Sequence, residues 1–200
     1  VLSHVVRALH ARPTALRLDR LEGFELEGIV GSSLVLCDET PKHGINQQAL
    51  KTLISGGEVQ INPKGRRPYS YRPTAKWIIC TNHVPATKDH SDGWWRRLQL
   101  VEWDSQIPEG KVVRNLERKI VDDELHHVLF WALHGLQRLI RRGDFQIPEC
   151  VARAKDDYQI EANSVRSWVS DCSVTESTTR MTAKTAVFEA YLTYCEENRL

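Results

Sequence analysis

The sequence predicts an α/β fold up to about residue 108 and an all-helical region beyond it. Two observations carry this expectation. In the first half, short apolar runs of strand length recur at "LVLC" (34–37), "WIIC" (77–80) and "LQLVEW" (98–103). Nearly unbroken runs of this kind belong to strands covered on both faces, as in parallel sheets. From about residue 111 the apolar residues instead recur every three or four positions, which is the period of one helix face.

The elements follow in chain order. Residues 1–31 mix short apolar clusters with Arg, Glu and Gly, and "LDRLEGFELEGIVG" (18–31) reads as a helix or loop feeding a strand. "SSLVLCDE" (32–39) is that strand, and it ends in Asp38 and Glu39. In "PKHGINQQALKTLISGG" (41–57), Asn46 is placed to cap a helix whose Leu50, Leu53 and Ile54 share one face. Gly56 and Gly57 stop it. "EVQINPKGRRPYSYRP" (58–73) is two alternating segments around "NPKG", a hairpin signal. "AKWIICTNHVP" (75–85) is a second buried strand with Thr81 and Asn82 at its end, and "SDGWWRRLQLVEW" (91–103) is a short helix or turn running into a third.

Beyond these, "ELHHVLFWALHGLQRLI" (124–140) sets Leu125, Val128, Leu129, Ala132, Leu133, Leu136 and Ile140 at helical spacing. The stretches 147–172 and 182–200 are also helical, with Pro148 in a first-turn position. The polar "SVTESTTRM" (173–181) links them.

Composition narrows the function classes. A chain of 200 residues with 41% hydrophobic and 26% charged residues can bury a core, and a net charge of +1 selects no partner. No apolar run reaches the ~18–20 residues that cross a bilayer. The start, "VLSHVVRALHARP", has no signal-peptide pattern, so a cytoplasmic location is expected. A Val at position 1 and a helical pattern running to the last residue lead to the expectation of a piece of a longer protein. The five cysteines, Cys37, Cys80, Cys150, Cys172 and Cys195, form no CxxC pair and read as reduced structural thiols, with no zinc site. His126, His127 and His134 share a helix without a carboxylate at ligand spacing and read as surface or packing residues. The tryptophans Trp94, Trp95, Trp103 and Trp131 read as core aromatics.

The chemistry gathers at strand ends. Asp38-Glu39 and Thr81-Asn82 close two apolar strands, and Arg96-Arg97 precede the third. Sites in α/β sheets lie at the carboxyl ends of strands, so the first two would line one crevice. Phosphoryl transfer needs acids for metal and water, an amide to sense or orient, and an arginine for developing charge. Separately, "KGRRPYSYR" (64–72) packs four positive charges and two tyrosines into one stretch. Lys64 at the turn suits nucleic-acid phosphates, whereas Tyr69 and Tyr71, on one face, read as core residues of the hairpin.

In order and spacing these segments are similar to a known family. Residues from about 18 to 108 resemble the C-terminal part of a superfamily 3 DNA helicase, in the branch of phage, plasmid and poxvirus-type primase–helicases. "GSSLVLCDE" resembles its Walker B strand, "LKTLISGGEVQINPKGRRPYSYRPTAKWIICTNHVP" its hairpin and following sensor strand, and "DGWWRRLQLVEW" its arginine-finger segment. The resemblance implies a partial P-loop NTPase core of the AAA+ kind at 1–108, a helical region at 109–163 and the start of a winged-helix-like segment at 164–200. It implies ATP and Mg²⁺ as cofactors, with Glu39 activating water and Asp38 on the metal side. Asn82 becomes the γ-phosphate sensor, and Arg97, or else Arg96, the finger reaching a neighbouring subunit. Lys64, helped by Arg66 and Arg67, would grip single-stranded DNA in the channel of a ring, most simply a hexamer, served by a primase domain or partner.

One departure stands out. No G-x-x-x-x-G-K-[ST] loop occurs in the 200 residues, so this chain alone is expected to be inactive toward ATP. Two rivals therefore remain: a non-hydrolysing ATPase-like module that binds DNA or assembles partners, and a winged-helix DNA-binding regulator.

Overall fold

A computed structural model describes residues 1–38 and 45–198. The chain divides into two compact units, residues 1–86 with 103–147 and residues 87–102 with 148–200. A mixed α/β part with a small parallel sheet is followed by a helical C-terminal region.

The sheet of the first unit is built from β1 (Pro13–Ala15), β2 (Leu34–Cys37) and β5 (Lys76–Ile79), in the order β1-β2-β5 and parallel throughout. Every residue of β2 is buried, as expected of a central strand with both faces covered. Helix α1 (Leu2–Ala8) and a 3-10 turn (Gly23–Ile29) bring Val5, Leu26 and Ile29 into this core beside Leu16, Leu18 and Leu21. At about 25 cal/mol per Å² of apolar area removed from water, such contacts dominate the unit's stability.

Helix α2 (Gln47–Ile54) starts where the sequence places it, the Asn46 side chain accepting from the Ala49 N–H at 3.0 Å. Its Leu50 and Leu53 are buried. It stops at Gly56, whose φ of +67° is costly for any residue with a Cβ. The hairpin is also found, β3 (Val59–Ile61) pairing antiparallel with β4 (Tyr69–Tyr71). In the same unit, α4 (Leu116–Lys119) and a π-helical turn (Ile120–Glu124) lead into α5 (Leu125–Arg142), which ends at Gly143 in the left-handed region. No residue of α5 is buried.

The second unit holds α3 (Asp92–Trp95), α6 (Glu149–Glu161), α7 (Ser164–Asp171) and α8 (Lys184–Asn198). Trp94, Trp95, Ala154, Tyr158 and Trp168 are its buried centre, with Trp95 meeting Tyr158 edge-on at 5.1 Å. Asn163 breaks the long helical pattern of 147–172 by capping α7, its side chain accepting from the Val165 and Arg166 N–H groups. Among the described residues no helix is long and apolar enough to cross a membrane.

Three expectations need correction. Residues 98–103 form no strand; an apolar run becomes a strand only beside a partner edge, and here none pairs with it. Trp103 and Trp131 are 77% and 72% exposed, so of these four tryptophans Trp94 and Trp95 alone lie in the core. Tyr69 is 41% exposed, whereas Tyr71 is half-buried and held by the Gly31 N–H, which donates to its hydroxyl at 2.8 Å.

Candidate functional site

The register of the sheet brings two strand ends side by side. Cys37 lies opposite Ile79, and the Cys80 N–H donates to the Cys37 carbonyl at 2.8 Å, so the parallel pairing continues one residue past β5. Asp38 and the Cys80-Thr81-Asn82 segment therefore leave the sheet together at its carboxyl edge. Asp38 and Asn82 are both exposed. Glu39 lies outside the described residues.

The closeness of the two ends has an electrostatic signature. Burial pushes the Cys80 thiol up from its ordinary value, and the charge and hydrogen bond of Asp38 push it further, while the Ser3 hydroxyl pulls the other way. The thiol thus stays protonated beside the carboxylate, a donor facing an acceptor. Cys37, inside β2, is pushed up to about 12, chiefly by burial and then by Asp38 and Cys80. Just past β5, the Thr81 hydroxyl donates to the His83 carbonyl and accepts from the His83 N–H, a local turn that carries Asn82 outward.

Asp38 also borders a shallow depression of about 350 Å³ with Ala15, Leu16, Arg17 and Glu25. Leu16 is fixed there because its N–H donates to the Leu36 carbonyl at 3.0 Å, extending the β1–β2 pairing. Arg17 forms a two-bond fork with Asp19 at 2.8 and 3.0 Å, which holds the Asp19 carboxyl below its usual value. Sequence reasoning missed Arg17. Its only signal would have been β1 itself, three residues long and opened by a proline.

The hairpin tip is built for display. Pro63-Lys64-Gly65-Arg66 is a tight turn closed by the Arg66 N–H to the Pro63 carbonyl at 3.3 Å, with Gly65 at φ +73°. Pro63 is buried, while Lys64, Arg66 and Arg67 are exposed. At the base, Arg72 faces Glu58 at 3.6 Å and the Gln60 amide donates to the Ser70 hydroxyl at 3.1 Å.

Within the second unit the two candidate arginines part ways. The Arg97 guanidinium folds back to donate to the Gly93 carbonyl of α3 and is half-buried, whereas Arg96 is exposed. Among the described residues no group of three or more His, Cys, Asp or Glu could hold a metal ion.

Residues 1–97 match the model of a family of unknown function (DUF5906). Every candidate position named above, from Asp38 to Arg97, falls inside that match. No curated protein matches the chain.

Proposed function

We propose that residues 1–97 are the water-activating, DNA-gripping and sensing portion of an ATP-driven DNA motor of the superfamily 3 helicase kind. The observation that carries this is the register Cys37 opposite Ile79, which sets the Asp38 end of β2 beside the Asn82 end of β5. Phosphoryl transfer asks for an acid and a polar sensor within reach of one nucleotide. The sheet order adds support, because β5 is paired on one side only among the described residues. A phosphate-binding strand would lie along its other side, next to Asp38 and Asn82.

The donor set fits magnesium. Mg²⁺ takes one or two carboxylates and completes its shell with water and phosphate oxygens, so Asp38 with at most one further acid is an ordinary protein share. Bound with nucleotide, such an ion neutralises charge on the phosphates. Asp38 would hold it, Asn82 would contact the terminal phosphate, and Glu39 would orient and deprotonate water. Of the two arginines, Arg96 is the better finger: its side chain is exposed, while Arg97 is committed to α3. An arginine acting on a neighbour's site implies head-to-tail contacts that close into a ring, with a hexamer the simplest form. The exposed Lys64 at a rigid turn would then engage the phosphates of one DNA strand, with primase activity supplied from a linked or partner domain.

The exposed basic turn Lys64-Gly65-Arg66-Arg67 supports one second reading equally, a module that grips DNA without hydrolysing ATP. Binding of a fluorescent single-stranded oligonucleotide by this chain tests the DNA-gripping core of both. Lys64→Ala is expected to weaken it roughly five- to tenfold on any sequence, the loss of about one phosphate contact. Binding that survives Lys64→Ala but disappears when residues 165–200 are removed would instead identify a winged-helix regulator. To separate motor from module, Glu39→Gln is introduced into a longer protein carrying this segment. Only a motor loses its ATPase activity.

A further inference from the structure

Helix α5 has two unlike faces, and the one opposite its leucines combines positive charge with bare aromatic rings. From Leu125 to Gly143 the chain holds no Asp or Glu. At about 100° per residue, Phe130, Trp131, His134, Arg138, Arg141 and Arg142 fall within about one third of the helix circumference. All six are exposed, Phe130 by 62% and Trp131 by 72%. None of the three arginines forms an ion pair among the described residues. Cations and rings are thus interleaved over about 18 Å of helix, at 1.5 Å per residue. Gly135 lies among them, one turn after Trp131 and one turn before Arg138. A glycine inside a helix weakens it, and packing does not call for one here. A Cβ at this position would meet the Arg138 guanidinium at 3.8 Å, an ordinary contact, and nothing else within 4 Å. A side chain at 135 would lean back over the turn that carries Trp131, so its absence leaves one side of the indole uncovered.

We propose that this face of α5 binds single-stranded nucleic acid, a base stacking on Trp131 over Gly135 while Arg138, Arg141 and Arg142 take neighbouring phosphates. Positive charge alone would suit any polyanion. Rings set between the charges select an unpaired strand, because unpaired bases offer a π-face to stack on and a duplex hides it. An anionic membrane is the chemical rival, since amphipathic helices bearing arginines lie in its surface. Such a helix buries its leucines and turns Trp131, Gly135 and Arg138 toward water, which leaves the rings and the glycine without a use. The surface contains none of the residues assigned to the motor and does not rest on that reading.

The test is binding of a fluorescent oligothymidylate to the 200-residue chain carrying Lys64→Ala, which removes the other candidate contact. In that background Trp131→Ala should weaken binding roughly tenfold, the loss of one stacked base. Arg138→Gln with Arg141→Gln should lower the slope of log affinity against log salt by about 1.4, two phosphate contacts at about 0.7 each. Gly135→Leu should weaken binding while strengthening the helical signal in far-UV circular dichroism, a split that a folding defect would not produce. Leu133→Ser, on the far side of α5, should leave binding as it was. Ultraviolet cross-linking of the unaltered chain should attach thymidine to the peptide between Lys119 and Arg138, which holds both rings. Loss of all binding in the Lys64→Ala background overturns the proposal. So does equal affinity for duplex, or an affinity indifferent to Trp131→Ala and Gly135→Leu. A chain that ignores the oligonucleotide but sediments with phosphatidylserine vesicles, and releases them on Leu133→Ser, overturns it in favour of a membrane helix. Failure of Lys64→Ala to change the affinity of the unaltered chain bears on the motor reading alone.

Discussion

Cys80 is the residue through which the candidate site can be interrogated chemically. Its thiol is held protonated by burial and then by Asp38. Asp38→Asn removes the charge but keeps the shape, so the Cys80 pKa should fall and its alkylation at pH 8 should accelerate. Mass mapping of each cysteine reads this directly, and an unchanged Cys80 rate would show that Asp38 is not its neighbour in solution. Cys37, pushed up to about 12, should stay unmodified in the native chain. At Tyr71 the hydroxyl accepts from the Gly31 N–H, tying the hairpin to the loop before β2. Tyr71→Phe should cost about 1 kcal/mol, measured by urea unfolding.

Among the elements, α2 offers the cleanest measure of local design. Asn46→Ala removes the bond to the Ala49 N–H and should lower stability by about 1 kcal/mol. Asn46→Asp keeps the cap but sets a second carboxylate against Glu22, to which the Asn46 amide donates at 2.6 Å, and should recover only part of that loss. This helix was legible in the sequence because its cap, apolar face and glycine stop all lie within a dozen residues. The strand β2 and the hairpin were legible for the same reason: run length, turn chemistry and alternation are local. What stayed hidden was decided elsewhere in the chain. β1 is three residues long and exists only because its backbone finds β2, so no internal pattern announces it. The run 98–103 has the composition of a strand but pairs with none. Trp103 and Trp131 look like core residues until their neighbourhoods prove empty. The acid and amide ends of the site were visible in the sequence. Their juxtaposition awaited the register of β2 against β5, and the folded-back Arg97 was out of reach of any sequence pattern.

On the scale of the whole molecule, several buried or bonded acidic groups titrate late. Cys37 is moved from its ordinary 9.0 to about 12, and Tyr158 from 10.0 to about 12, both by burial. Each folded-state pKa lies above its unfolded value, so each contributes stability that is fully present below the unfolded pKa. That contribution is lost as pH rises through the folded one. Unfolding midpoints in urea should therefore hold steady from pH 7 to about 8.5 and decline from about 9 upward. A flat profile to pH 11 would mean that neither group is buried as described. One further property follows from the sheet. β5 carries a row of backbone donors and acceptors along its outer side, with the apolar Trp77-Ile78-Ile79 on the strand itself. A chain expressed without anything to dock there offers a growth template to its own copies. Concentrated samples should slowly form ordered deposits that bind thioflavin, and a charged residue at Ile78 should delay them. Unpaired among the described residues, the outer edge of β5 is the molecule's weak point in storage.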